Sequence, residues 1–211
     1  MYLPQAFSET RVPVMHELMQ NYPLASVVAA TAGGLIGNTL PLELARDAGP
    51  LGTWHGHIAR ANRSWDELTA QTDALVIFQG PHAYVSPSWY ASKQLGGKVV
   101  PTWNYAVVHV YGALRMIDDA AWLRALVTRL TERQEATHRH PWQLGDAPAD
   151  YIDSMLRSIV GIEFPIRRLE GKWKLSQNRS AADRHSVVAG LRAADDPLSR
   201  AVADGVAEHI P

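Results

Sequence analysis

The chain has 211 residues, 46% of them hydrophobic and 19% charged, which excludes intrinsic disorder and provides enough apolar material for a buried core. It contains no cysteine, so a disulfide scaffold, a thiol nucleophile and a cysteine-ligated metal or cluster are all excluded. Twenty basic and 21 acidic residues give a net charge of −1, which is not the basic footprint of a nucleic-acid binder. Only Lys93, Lys98, Lys172 and Lys174 are lysines. No secretory signal pattern opens the chain, and its most apolar run, Leu24 to Ile36, is too short and too interrupted to span a bilayer. The expectation is a cytoplasmic, bacterial protein.

Met15, Leu18, Met19 and Tyr22 follow helical spacing, so Thr10–Asn21 is predicted as a helix ended by Pro23. Leu24–Thr31 and Leu35–Leu40 read as a hairpin turned by Gly33 and Gly34. A third strand is expected over Leu51–Ala61, a short helix over Asn62–Gln71 and a fourth, buried strand over Leu75–Gln79. Gly80–Thr102 is loop-rich, with one helical turn near Ser88–Lys93.

Asn104–Ile117 is the longest predicted strand, with Ala106, Val108, Val110, Gly112, Leu114 and Met116 on one face. Asp118 or Asp119 caps a helix reaching Glu135, with an apolar stripe of Leu123, Leu126, Val127 and Leu130. After Thr137–Pro148 come a short helix (Ala149–Leu156) and a sixth strand (Ile159–Leu169). Pro165 in that strand suggests an edge or a bulge. Two helices, Ala181–Ala193 and Pro197–His209, close the chain, the second capped by Asp196 and Pro197. Six strands in mostly antiparallel order with peripheral helices predict an α+β fold: a small antiparallel barrel rather than alternating βαβ units.

The chemistry-bearing stretches are few. Gly33-Gly34 lies in a hairpin turn, so it is no dinucleotide fingerprint, and a Walker A loop is absent. Nothing marks a serine triad or a carboxylate pair. At the end of the third strand, Arg60 and Asn62 could present a guanidinium fork to an anion, or Arg60 could simply enter a surface ion pair. His55 and His57 share one strand face but lack a third metal ligand nearby.

Two loops, Pro81–Tyr90 and Val100–Tyr105, are dense in aromatic and hydroxyl side chains. They suit a planar ligand with a polar edge, or equally a barrel plug or an interface. Glu170–Arg179 holds half of the lysines, Lys172 and Lys174, on one face with Trp173 between them. It reads either as an anion site or as a solvated edge strand.

Taken in order, Met1-Tyr2-x-Pro4-x-x-Phe7, Gly56-His57-x-Ala59-Arg60-Ala61-Asn62, Pro87-Ser88-Trp89-Tyr90, Val100-Pro101-Thr102-Trp103-Asn104-Tyr105 and Gly171-Lys172-x-Lys174-Leu175-Ser176-Gln177-Asn178 resemble the PaiB-type family of FMN-binding negative transcriptional regulators. The resemblance implies an FMN-binding split β-barrel like that of pyridoxamine-phosphate oxidases. The chain length and predicted elements suit a single domain over residues 1–211 with a helical C-terminal extension over 180–211, and the resemblance implies a homodimer with flavin at the subunit interface.

Read with the residues, it implies cofactor contacts from His57, Arg60, Asn62, Ser86, Ser88, Trp89, Tyr90, Thr102, Trp103, Asn104, Lys172, Lys174, Gln177 and Asn178. Arg60 with Asn62, or Lys172 with Lys174, suits the phosphate. Ser86, Ser88 and Thr102 suit the ribityl chain, and Trp89, Tyr90, Trp103 and Tyr105 suit the ring. The alternatives are a flavin-dependent oxidoreductase of the same superfamily and a haem-binding split barrel using His55, His57 or His109 as axial ligand. Direct DNA contact would need an assembled basic surface.

Overall fold

The computed structural model describes residues 1–63, 68 and 72–210. The helix expected over Asn62–Gln71 lies almost wholly outside them. The elements in chain order are β1 (Ser8–Glu9), α1 (Val12–Asn21), β2 (Leu24–Thr31), β3 (Gly34–Pro41), β4 (Glu43–Ala45), β5 (Thr53–Ala59), β6 (Thr72–Val85), β7 (Thr102–Ile117), α2 (Ala120–Glu135), α3 (Ala149–Arg157), β8 (Ile159–Lys174), α4 (Ala181–Ala193) and α5 (Pro197–Ala207). The hydrogen-bonded strand order is β3-β2-β6-β7-β8-β5-β4, with β1 on β8. Among the described residues the sheet therefore has eight strands rather than the six expected. The two unforeseen strands, β1 and β4, are only two and three residues long, too short to carry a visible alternation.

Two compact units divide the chain, and β6, β7 and β8 contribute to both. One comprises residues 23–77 and 110–169. Here β2 and β3 form the expected hairpin, but Thr31 pairs with Gly34, so Ala32 and Gly33 make the turn. Gly34 follows at φ +117°, a conformation that needs glycine. Val27 and Val76, both fully buried, are cross-strand partners, as are Trp54 and Phe164. Gly161 lets α2 lie close on β8: a Cβ there would stand 2.3 Å from the Trp122 ring. Asp119, not Asp118, caps α2, accepting from the Trp122 N–H at 2.7 Å.

Pro165 is not at an edge, since β8 runs between β7 and β5. Ile166 donates to Gly52 O at 3.1 Å, so by antiparallel alternation Pro165 turns its missing N–H toward β7. There it meets Gly112, where an added Cβ would come within 2.4 Å of Pro165 O. The alternation of β7 holds through Gly112 and then fails: Gly112, Ala113 and Leu114 are all buried, while Met116, expected inside, is 38% exposed.

The other unit comprises residues 1–22, 78–109 and 170–211. Its core gathers Ala83, Val85, Tyr90, Leu175, Val187, Val188, Leu191, Val202, Ala203 and Val206, with Trp89 and Trp173 against it. The helices α4 and α5 supply six of those ten residues, so the C-terminal pair is integral to this core. Ser180 caps α4, and Asp196 caps α5 by accepting from the Leu198 and Ser199 N–H groups. Strand β6 continues through Gly80 and Pro81 to Val85, well past the expected end at Gln79. The absent side chain of Gly80 leaves room for Leu18 of α1: a Cβ would meet Leu18 Cδ1 at 2.8 Å.

Candidate functional site

In the unit that holds both chain ends, the start of β7 and the end of β8 bring the lysines and aromatic residues together. Lys172 and Lys174, two apart on β8, project from one face. The Lys174 Nζ donates to Thr102 Oγ1 and, at 2.6 Å, to Trp103 O. Lys172 Nζ donates to Tyr2 O at 3.0 Å. Both ammonium groups stand near the Tyr105 ring, at 5.5 Å for Lys172 and 6.0 Å for Lys174. Burial, and then the neighbouring charges of Lys172 and Arg179, hold the Lys174 pKa below its ordinary value. Crowded, partly desolvated cations of this kind favour an incoming anion.

Beside the lysines is an aromatic wall. His82 and Tyr84 alternate onto one face of β6, and their rings lie 5.6 Å and 6.3 Å from the Trp103 ring. Trp103 is 51% exposed and Tyr84 47%. Underneath, Asn104 is buried and its Nδ2 donates to Ser176 Oγ at 2.9 Å. The Asn104 Oδ1 has no donor among the described residues, and a buried acceptor left unmet is costly. Ser176 has a left-handed φ of 63°.

The remaining expected site residues fall into three situations. Gln177 closes its own turn, accepting from Leu175 N–H at 2.7 Å and donating to Trp173 O at 2.6 Å, while Asn178 is exposed. Ser86, Ser88, Trp89 and Tyr90 form the 3-10 turn beneath α4. Ser86 Oγ caps the turn at Ser88 N–H, Trp89 leans on Gly190, and Tyr90 is buried with the Arg179 guanidinium 4.8 Å from its ring centroid.

His57, Arg60 and Asn62 belong to the other unit. Both arms of the Arg60 fork are on Asp118, at 2.9 and 2.6 Å, and Arg60 also donates to Arg157 O and Ile159 O. Asn62 Nδ2 donates to Asn38 Oδ1 at 3.1 Å. His57 lines an apolar cavity.

The sequence reading placed His82 and Tyr84 in an aromatic stretch suited to a planar ligand and Arg179 in the lysine stretch, but named none of them, nor Tyr2, as a site residue. For His82 and Tyr84 the signal was their spacing of two, unreadable once Gly80-Pro81 was taken as a loop.

These residues fit FMN. An unmet buried carbonyl oxygen at Asn104, a crowded ammonium at Lys174 and half-exposed indole and phenol rings complement an anionic group tethered to a planar ring by hydroxyls.

Comparison with known proteins identifies the family. Residues 1–168 match the family model described as "Putative FMN-binding domain". The Protease synthase and sporulation protein PAI 2 of Bacillus subtilis is 32% identical over 204 residues, covering 97% of this chain and 95% of that protein. The uncharacterized protein AN0679 of Emericella nidulans is also 32% identical, over 246 residues that cover 99% of this chain and 97% of its own. Among solved structures, the FAD and heme binding protein of Mycobacterium smegmatis superposes with a TM-score of 0.55 at 14% identity, covering 79% of this chain and 73% of that one, a likeness of fold. No helix among the described residues is long and apolar enough to cross a membrane. The chain belongs to the PaiB-type family of FMN-binding domain proteins, has a split-barrel fold, and its cofactor is FMN.

Proposed function

We propose that the protein is an FMN-binding regulator of the PaiB type that holds its flavin at a homodimer interface. In this reading Lys172 and Lys174 receive the phosphate, Thr102 and the free Oδ1 of Asn104 meet the ribityl hydroxyls, and the exposed indole of Trp103, with Tyr84 and His82 beside it, faces the ring. FMN bound there would supply reversible one- and two-electron chemistry, while the chain's residues fix its position and shield it.

The observation that carries the proposal is the meeting of Lys174 with Thr102 and Trp103, which puts the desolvated cation at the foot of the aromatic wall. Arg60, the other phosphate candidate, already has its fork on Asp118. A half-exposed Trp103 beside a half-exposed Tyr84 also suits burial by a second copy, since aromatic residues concentrate in such interfaces. The regulatory role follows the name of the Bacillus subtilis relative, which links that protein to protease synthesis and sporulation. With a net charge of −1, flavin occupancy or redox state is a better carrier of the signal than a basic DNA-binding face.

The test is the visible spectrum of the purified protein with and without added FMN, together with its mass in solution. A flavin absorbance that stays with a species of twice the chain mass is expected. A colourless monomer giving no calorimetric heat with FMN would overturn the reading.

A further inference from the structure

The Tyr2-x-Pro4-x-x-Phe7 stretch has no part in the cofactor contacts assigned above, yet the chain on either side of it meets Lys172. Lys172 Nζ donates to Tyr2 O at 3.0 Å and stands 5.6 Å from the Tyr2 ring centroid. Ser8 of β1 is then the cross-strand partner of Lys172. Between the two, a 3-10 turn over Gln5–Phe7 follows Pro4 and is closed by the Phe7 N–H on Pro4 O at 2.9 Å. Residues 2–8 therefore form a loop that starts at the tip of the Lys172 side chain and ends beside its main chain.

The order of strands gives this loop its place. In the unit of residues 1–22, 78–109 and 170–211, β6, β7, β8 and β1 are successive neighbours, each about 5 Å from the next. In that order they carry His82 and Tyr84, then Trp103 and Tyr105, then Lys172 and Lys174, and last the loop. A flavin with its ring on the aromatic wall and its phosphate on the lysines runs from β6 toward β1, so whatever extends past the phosphate meets residues 2–8. Along β8 the next position on the lysine face is Glu170, whose carboxylate accepts from the Met1 ammonium at 2.5 Å. A further phosphate turned that way meets a carboxylate.

We propose that residues 2–8 close the phosphate end of the flavin site and make it selective for a flavin ending in a phosphate monoester over a flavin dinucleotide. This inference rests on the flavin placement proposed above. In FMN the phosphate is terminal, and two ammonium groups match its charge. In FAD the same phosphate continues into a second phosphate and adenosine, which must displace the loop and its Lys172–Tyr2 bond to be seated. Selectivity then comes from exclusion as well as attraction.

The test is calorimetric titration of wild type, Tyr2→Gly and a variant lacking residues 2–7, each with FMN and with FAD. Wild type is expected to bind FMN about tenfold more tightly than FAD, the worth of one charge-assisted hydrogen bond. In the deletion variant the ratio is expected to fall below about threefold, chiefly because FAD binds more tightly. Tyr2→Gly, which removes a ring that is 84% exposed, is expected to lower the ratio in the same direction without disturbing the core. If the deletion variant binds neither flavin, Tyr2→Gly decides by the same ratio. Equal binding of FMN and FAD by wild type, or a wild-type ratio kept in both variants, overturns the inference and leaves the flavin placement standing. Wild type that binds neither flavin overturns both.

Discussion

Trp89 lies so close to Gly190 that a Cβ on Gly190 would stand 2.4 Å from the indole Cδ2. The contact seats the Pro87–Trp89 turn on α4, and it explains a glycine in the interior of a helix, where alanine would ordinarily be favoured by about 1 kcal/mol. The atoms met are at the base of the indole, which cannot swing away as the tip of a flexible chain could. Gly190→Ala is therefore expected to destabilise the protein by about 1–3 kcal/mol despite the better helix propensity. Urea unfolding of the two proteins measures the difference.

Asp183 ties the same helix to the following turn. One carboxylate oxygen accepts from Ser92 N–H at 2.8 Å and the other from Ser92 Oγ at 2.9 Å, in a residue only 4% exposed. Burial raises its pKa, but the two Ser92 bonds and one from Ser180 outweigh burial and hold the carboxyl below its ordinary value. A depressed carboxylate pKa contributes stability that is full above the unfolded-state value, about 4, and is lost as pH falls through the lower folded value. Asp183→Ala is thus expected to cost about 1–3 kcal/mol at pH 7. The gap between variant and wild type should narrow below about pH 4, as measured by unfolding at a series of pH values.

Ser176 separates a backbone effect from a side-chain effect. Its φ of 63° favours glycine, while its hydroxyl accepts from Asn104 Nδ2 at 2.9 Å. Ser176→Ala and Ser176→Gly both strand that buried amide, but only alanine must also hold the left-handed conformation. The alanine variant is expected to be less stable than the glycine variant by about 1 kcal/mol, which paired thermal melts would show.

Much of this molecule is legible in its residues, because local rules decided locally. Pro23 ends α1, Asp196-Pro197 opens α5, and the hairpin appears within one residue of its predicted turn. Failures occur where a distant partner supplies what the local signal lacks. Gly80-Pro81 reads as a loop, yet Leu18 fills the space that glycine leaves and β6 runs on. Pro165 reads as an edge or a bulge, yet it lies inside the sheet, where Gly112, lacking a side chain, leaves room for its carbonyl.

Asp118 and Asp119 were equal candidates for the cap of α2 until Arg60 claimed the first. The lysine pair and the Val100–Tyr105 loop were visible as chemistry. What no spacing could reveal was that Lys174 reaches Thr102 and Trp103, because that contact joins positions about seventy residues apart.

The most direct measurement is calorimetric titration of wild type, Lys174→Met and Arg60→Met with FMN and with riboflavin, the same flavin without its phosphate. If Lys174 meets the phosphate, its replacement should weaken FMN binding at least tenfold, consistent with the loss of a charge-assisted hydrogen bond, and leave riboflavin binding within about threefold of wild type. Arg60→Met should then bind both flavins as wild type does. Equal loss of FMN and riboflavin in Lys174→Met, or an FMN-selective loss in Arg60→Met instead, would contradict this assignment.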